Sequence, residues 1–154
     1  MEALFAALHV VGAVFIVGPM AILPMTGMRA ILAGQGGQVA VLARSTFVFS
    51  LLSLLVVVLG FGILGATTHD TKVTTPWVLS SLILYAIAFA LSVFGVVPAL
   101  RSAAERLTAT PVAPAAIPAH AAVDTKGTYS RVAMLSGSAS LLLVAIVVLM
   151  SWKP

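Results

Sequence analysis

The chain has 154 residues and no cysteine, which excludes disulfides, thiolate zinc sites, cysteine-ligated iron-sulfur clusters and cysteine nucleophiles together. Charge is almost as scarce. Charged residues form 8% of the sequence, against roughly 25% in a soluble domain. Hydrophobic residues fill 61% of it and the mean hydropathy is +1.18, so the bilayer is the natural solvent of this chain. The net charge of +4 could suggest nucleic acid, but the basic residues are dispersed along the chain and form no stripe. Hydrolase, kinase and dinucleotide motifs are missing as well. Gly34-Gln35-Gly36-Gly37 lacks the lysine of a phosphate loop and the strand-to-helix setting of a dinucleotide site.

Four apolar stretches remain, each close to the roughly 20 residues that a spanning helix needs. They predict an all-α, integral membrane four-helix bundle forming one transmembrane domain over residues 1–154, with spans near 3–23, 46–65, 76–97 and 129–150. The first stretch resembles a signal peptide but opens acidic with Met1-Glu2 and lacks a small-x-small cleavage site, so an uncleaved span is expected. Pro19 and Pro24 cannot donate to the carbonyls of Phe15 and Met20, which predicts a kink or an unwound turn. The second helix is expected to start near Gln38 and to be apolar on every side from Leu54 to Leu59. The third has a clear start, with Thr75 as cap, Pro76 in the first turn and Trp77 at the interface. After Pro98, residues Leu100 to Leu107 read as a short helix along the membrane surface, with Arg101 and Glu105 one turn apart. Thr108 to Val123, with Pro111, Pro114 and Pro118, reads as an extended Ala/Pro linker. Small residues allow helices to approach closely, so Gly12, Gly18, Gly60, Gly62, Gly65 and Gly137 are the expected packing positions.

Lysine and arginine beside the spans set the orientation. Arg29, Arg44, Arg101, Arg106, Lys126 and Arg131 flank the first and third connections, against Lys72 in the second and Lys153 at the tail. Both termini are therefore expected outside, with the Ala/Pro linker in the cytoplasm.

Few residues could carry chemistry. His9 lies about two turns into the first helix on the expected outer side, and Glu2 is seven residues earlier on the same face. His69 and Asp70 occupy the outer connection, so copper or zinc could find ligands there. A lone histidine near a helix end can equally well hydrogen-bond a neighbouring helix, and that structural role is the leading expectation for His9. His120 falls in the linker, and no second histidine lies inside a span to complete a bis-histidine haem site, although methionine could still ligate. Met20, Met25 and Met28 cluster around the prolines, where thioethers suit cuprous ion but also fill irregular packing. No carboxylate or basic group sits deep in a span, as a transport path usually requires. Ser50, Ser53, Ser80, Ser81, Ser92 and the serines around Gly137 read as interhelical hydrogen-bonding groups. No catalytic, cofactor or metal residue is assigned; His9 and His69 are the weak metal candidates.

Leu8-His9-Val10-Val11-Gly12, followed by Val17-Gly18-Pro19, resembles the first helix of a family of small bacterial four-helix predicted integral membrane proteins, and the tail Val147 to Pro154 is similar to theirs. That family is distantly similar to the copper resistance D type membrane proteins, and among the residues here only His9 matches a position with a ligand role. The chain is also similar to the small accessory subunits attached to respiratory complexes in bacteria whose proteins are rich in Ala and Val. These resemblances imply a multi-pass protein of the bacterial plasma membrane. The leading functional expectation is a non-catalytic accessory subunit packed against a larger membrane assembly, such as a respiratory oxidase or supercomplex. A small haem or copper carrier using His9 is the alternative, and a minimal oligomeric transporter or channel the third. A membrane-impermeant label should reach Lys72 in intact cells and spare the Ala/Pro linker; labelling of the linker from outside would reverse the orientation.

Overall fold

A computed structural model describes residues 1–66, 72–109 and 119–152, with side chains described for all of these except 119–126 and 128. His69, Asp70, Lys153 and linker residues 110–118 lie outside the described residues, and so do the side chains of His120 and Lys126. The described chain is helical, without strands. Helix α1 covers Glu2–Leu32, α2 Gly36–Ala66, α3 Pro76–Ala109 and α4 Ala119–Trp152. Among the described residues, four helices are long and apolar enough to cross a membrane. At 1.5 Å per residue the 34 residues of α3 reach about 51 Å, well beyond a hydrocarbon core of about 30 Å.

Two of the long helices meet a proline and solve the missing donor in the same way. In α1 a π turn at Ala13–Val17 ends with the Gly18 N–H bonded to the Ala13 carbonyl, five residues back, and Pro19 comes next. In α3 a π turn at Leu91–Val96 ends with the Val97 N–H on the Ser92 carbonyl, and Pro98 comes next. The widened turn shifts the hydrogen-bond ladder just ahead of the residue that cannot donate, so both helices continue. Pro24 lies buried inside α1 without ending it. The first connection is short because Gly34, at φ 67°, takes the left-handed conformation that closes the helix. Its N–H bonds to the Ile31 carbonyl and that of Gln35 to the Ala30 carbonyl, which satisfies two carbonyls that the end of α1 would leave open.

The π turns also divide the bundle. Before them, α1 packs on α2 and α3 packs on α4; beyond them, α1 also meets α4 and α3 also meets α2. The main core therefore sits at the end away from the termini, where Ala30, Ile31, Val39, Ala43, Val96, Leu100, Ala103, Ala104 and Val132 cluster. Close approach there depends on two glycines. A Cβ on Gly27 would lie 2.9 Å from Leu100 Cδ2, and one on Gly36 would lie 2.9 Å from Thr108 Cγ2 and 3.2 Å from the Ala104 carbonyl. Arg101 leaves this core sideways and lies 5.4 Å over the ring of Phe47.

Three expectations change. Leu100 to Leu107 do not lie on the membrane surface: they continue α3, and Leu100, Ala103 and Ala104 are core residues. Their apolar face is covered by α2. Residues 119–123, expected in the linker, begin α4, since no proline after Pro118 obstructs a helix there. Of the expected packing glycines, Gly12, Gly60 and Gly62 touch a neighbouring helix, whereas a Cβ on Gly18, Gly65 or Gly137 would meet nothing within 4 Å. Replacing Gly27 with Ala should lower stability by about 1–3 kcal/mol, because Leu100 is fully enclosed and cannot yield. Unfolding in mixed micelles measures this, and Gly137→Ala should leave the same measurement unchanged.

Candidate functional site

At the end that carries the termini, the two helix pairs stand apart and leave a cleft of about 460 Å3. Its walls are apolar, from Val10, Val17 and Val57 on one pair to Leu82, Leu143 and Ile146 on the other. Glu2 and Trp77 stand toward its mouth, and His9, Ser53, Ser81 and Tyr85 supply polar atoms within it.

A seam of hydroxyls runs between the helix pairs and reaches the cleft at Ser53 and Tyr85. Thr46, Ser50 and Ser53 repeat along one face of α2 and are fully buried, and Ser81 and Ser92 are buried on α3. The Ser50 hydroxyl donates to the Thr46 carbonyl at 2.8 Å and also lies 2.9 Å from Ser92 Oγ. A hydroxyl has one proton and a carbonyl can only accept, so Ser92 donates to Ser50. Likewise the Ser53 hydroxyl donates to the Ser50 carbonyl at 2.6 Å, so Tyr85 donates to Ser53 Oγ, also at 2.6 Å. These two bonds from α3 to α2 tie the helix pairs together in a medium where an unpaired hydroxyl costs several kcal/mol. Ser81 spends its proton on the Trp77 carbonyl at 2.8 Å, within its own helix, and Ser80 is exposed.

His9 is oriented by the same logic. Its Nδ1 lies 2.8 Å from the carbonyl of Val56 on α2, which makes Nδ1 the donor; in the tautomer this fixes, the Nε2 lone pair is unspent. Gly60 makes this reach feasible, since a Cβ there would lie 3.1 Å from His9 Cε1. Gly62 does the same for Phe5, whose ring would be 2.7 Å from an added Cβ. The expected structural hydrogen bond of His9 is thus present, together with an imidazole nitrogen in a cleft.

Other sequence candidates lie elsewhere. Met20 is buried and Met28 packs against the core at the opposite end, while Met25 is exposed. Met150 lines the cleft wall across from His9. Among the described residues, no three His, Asp or Glu side chains converge as a metal site. Tyr85 does not stand out in the sequence, although it lies four residues after Ser81 and seven before Ser92, on the face that carries both hydroxyls.

The family model described as a predicted integral membrane protein, DUF2269, matches residues 3–154. The chain belongs to that family. No curated protein and no solved structure matches it. This DUF2269 protein is a multi-pass integral membrane protein, and its cleft is where the histidine and the paired hydroxyls of the spans meet. Ser53→Ala and Tyr85→Phe should each destabilise the bundle, with a coupling energy of about 0.6 kcal/mol and at most about 1.7 kcal/mol in a double-mutant cycle. A coupling of zero would mean that the seam does not join the helix pairs.

Proposed function

We propose that this protein is a non-catalytic accessory subunit of a larger membrane assembly, and that the cleft between its helix pairs is the part that works. The observation that carries the reading is an apolar cleft whose lining hydroxyls, Ser53, Ser81 and Tyr85, are all paired. Such a site has fixed walls and few reactive groups, which suits holding a molecule rather than transforming it. A respiratory oxidase or supercomplex of the bacterial plasma membrane is the assembly to test first, as the sequence resemblance implies. With the termini outside, the cleft opens toward the outer leaflet. Deleting the chain should reduce recovery of the assembly while turnover per intact active site stays the same. Ala6→Phe, which puts a ring into the cleft from α1, should act like the deletion while the variant itself still folds. Redox chemistry or solute movement by the purified chain in liposomes would refute the reading.

A second reading is supported by the free lone pair of His9. Copper or haem would draw on His9 Nε2 and, on the facing wall, the thioether of Met150. Reconstitution with haem or cuprous ion, followed by optical spectra of the native chain and His9→Gln, decides between the two. Under the accessory-subunit reading His9→Gln folds normally and assembles as before, because its amide can replace the bond to Val56.

A further inference from the structure

Beyond the mouth of the cleft, the polar side chains of His9, Ser53, Ser81 and Tyr85 share one property: their protons are already committed. Tyr85 gives its proton to Ser53, Ser53 to the Ser50 carbonyl, Ser81 to the Trp77 carbonyl, and His9 Nδ1 to the Val56 carbonyl. Lone pairs remain on His9 Nε2, Tyr85 Oη and Ser81 Oγ. The indole N–H of Trp77, toward the mouth, is the side-chain donor left among the described lining residues. Inside an apolar wall, a ligand carbonyl or ether oxygen would lose its water and gain no donor, whereas a ligand hydroxyl would find several acceptors.

We propose that the cleft binds an uncharged, lipid-soluble molecule whose hydroxyl or phenol donates a hydrogen bond to His9 Nε2, and that it discriminates against the same molecule with that proton removed or capped. This deepens the accessory-subunit reading by naming the class of molecule held. The volume of about 460 Å3 lies within the range of roughly 300–1,000 Å3 typical of small-molecule sites. The partly open cleft admits an alkyl tail that continues into the bilayer. Two sources share this chemistry, a hydroquinone and an alcohol-bearing lipid.

Discrimination arises because the tautomer of His9 is locked. To meet a carbonyl ligand the ring would have to turn its proton to Nε2 and give up the bond to Val56. One hydrogen bond gained or lost in this setting corresponds to about a tenfold change in affinity. Glu2 and Trp77, at the helix starts, line the same cleft toward its mouth and face the portion of the ligand nearest the interface.

The test uses the full chain, labelled with 15N-histidine, in lipid nanodiscs. The His9 resonances are assigned by their loss in His9→Gln. Decyl-hydroquinone and decyl-benzoquinone form one pair of probes, and 1-dodecanol and dodecyl methyl ether the other. The hydroxyl member of at least one pair should move the His9 Nε2 resonance upfield, with an affinity about tenfold above its proton-free counterpart. Whichever pair responds identifies the source. His9→Leu should abolish the preference, read by quenching of Trp77 in a Trp152→Phe background, and His9→Gln, which retains an acceptor oxygen, should restore part of it. Equal binding of both members of each pair, or no effect of any hydroxyl probe at His9, would overturn the proposal. Because binding is measured on the isolated chain, such a failure leaves the loss of assembly in Ala6→Phe as a separate result on the accessory-subunit reading.

Discussion

A hydroxyl inside a bilayer must find its partner within the protein, and two such partnerships between α2 and α3 set the shape of this molecule. Ser50 with Ser92, and Ser53 with Tyr85, lie where the bundle passes from four packed helices to two separate pairs. On one side of the seam, alanines and glycines bring the backbones close enough for a continuous core. On the other side α1 and α2 close on each other through Gly60 and Gly62, and the space between the pairs stays open. Hydrophobic burial cannot close that space as it would in water, since lipid tails are as apolar as the side chains.

The prolines belong to the same arrangement. A helix interrupted at Pro19 or Pro98 would leave unsatisfied carbonyls inside the hydrocarbon, so each interruption is absorbed by a π turn of five or six residues. A π turn widens the helix and displaces its N-terminal portion relative to its C-terminal portion. Placing one in α1 and another in α3, each ending two residues ahead of a proline, repeats one plan in both halves of the chain. The cleft is the space that these two displacements leave, and His9 faces it because Gly60 lets the imidazole reach the Val56 carbonyl.

Much of this is legible in the residues. Four helices, the start of α3 at Pro76 and the disturbance at Pro19 come from hydropathy and from the chemistry of proline. Of the serines read as helix-pairing groups, Ser50, Ser53 and Ser92 join α2 to α3, whereas Ser81, Ser136 and Ser138 bond within their own helix and Ser80 is exposed. Leu100 to Leu107 mislead because an amphipathic turn beside a membrane has the same pattern whether its apolar face meets lipid headgroups or another helix. Glycine identity is equally ambiguous: Gly27 and Gly36 make the closest approaches of the core without any sequence pattern to mark them, while Gly18, Gly65 and Gly137 face open space.

The sequence by itself determined the solvent, the number of crossings and the shortage of ionisable groups, because each depends on composition or on contacts between residues near in the chain. Tertiary structure alone decided which hydroxyls pair, which nitrogen of His9 holds its proton and where the helix pairs part. Those features join residues 32 to 47 positions apart, and their outcome depends on helix rotation and crossing, for which an apolar sequence in an apolar solvent has little preference until the helices meet.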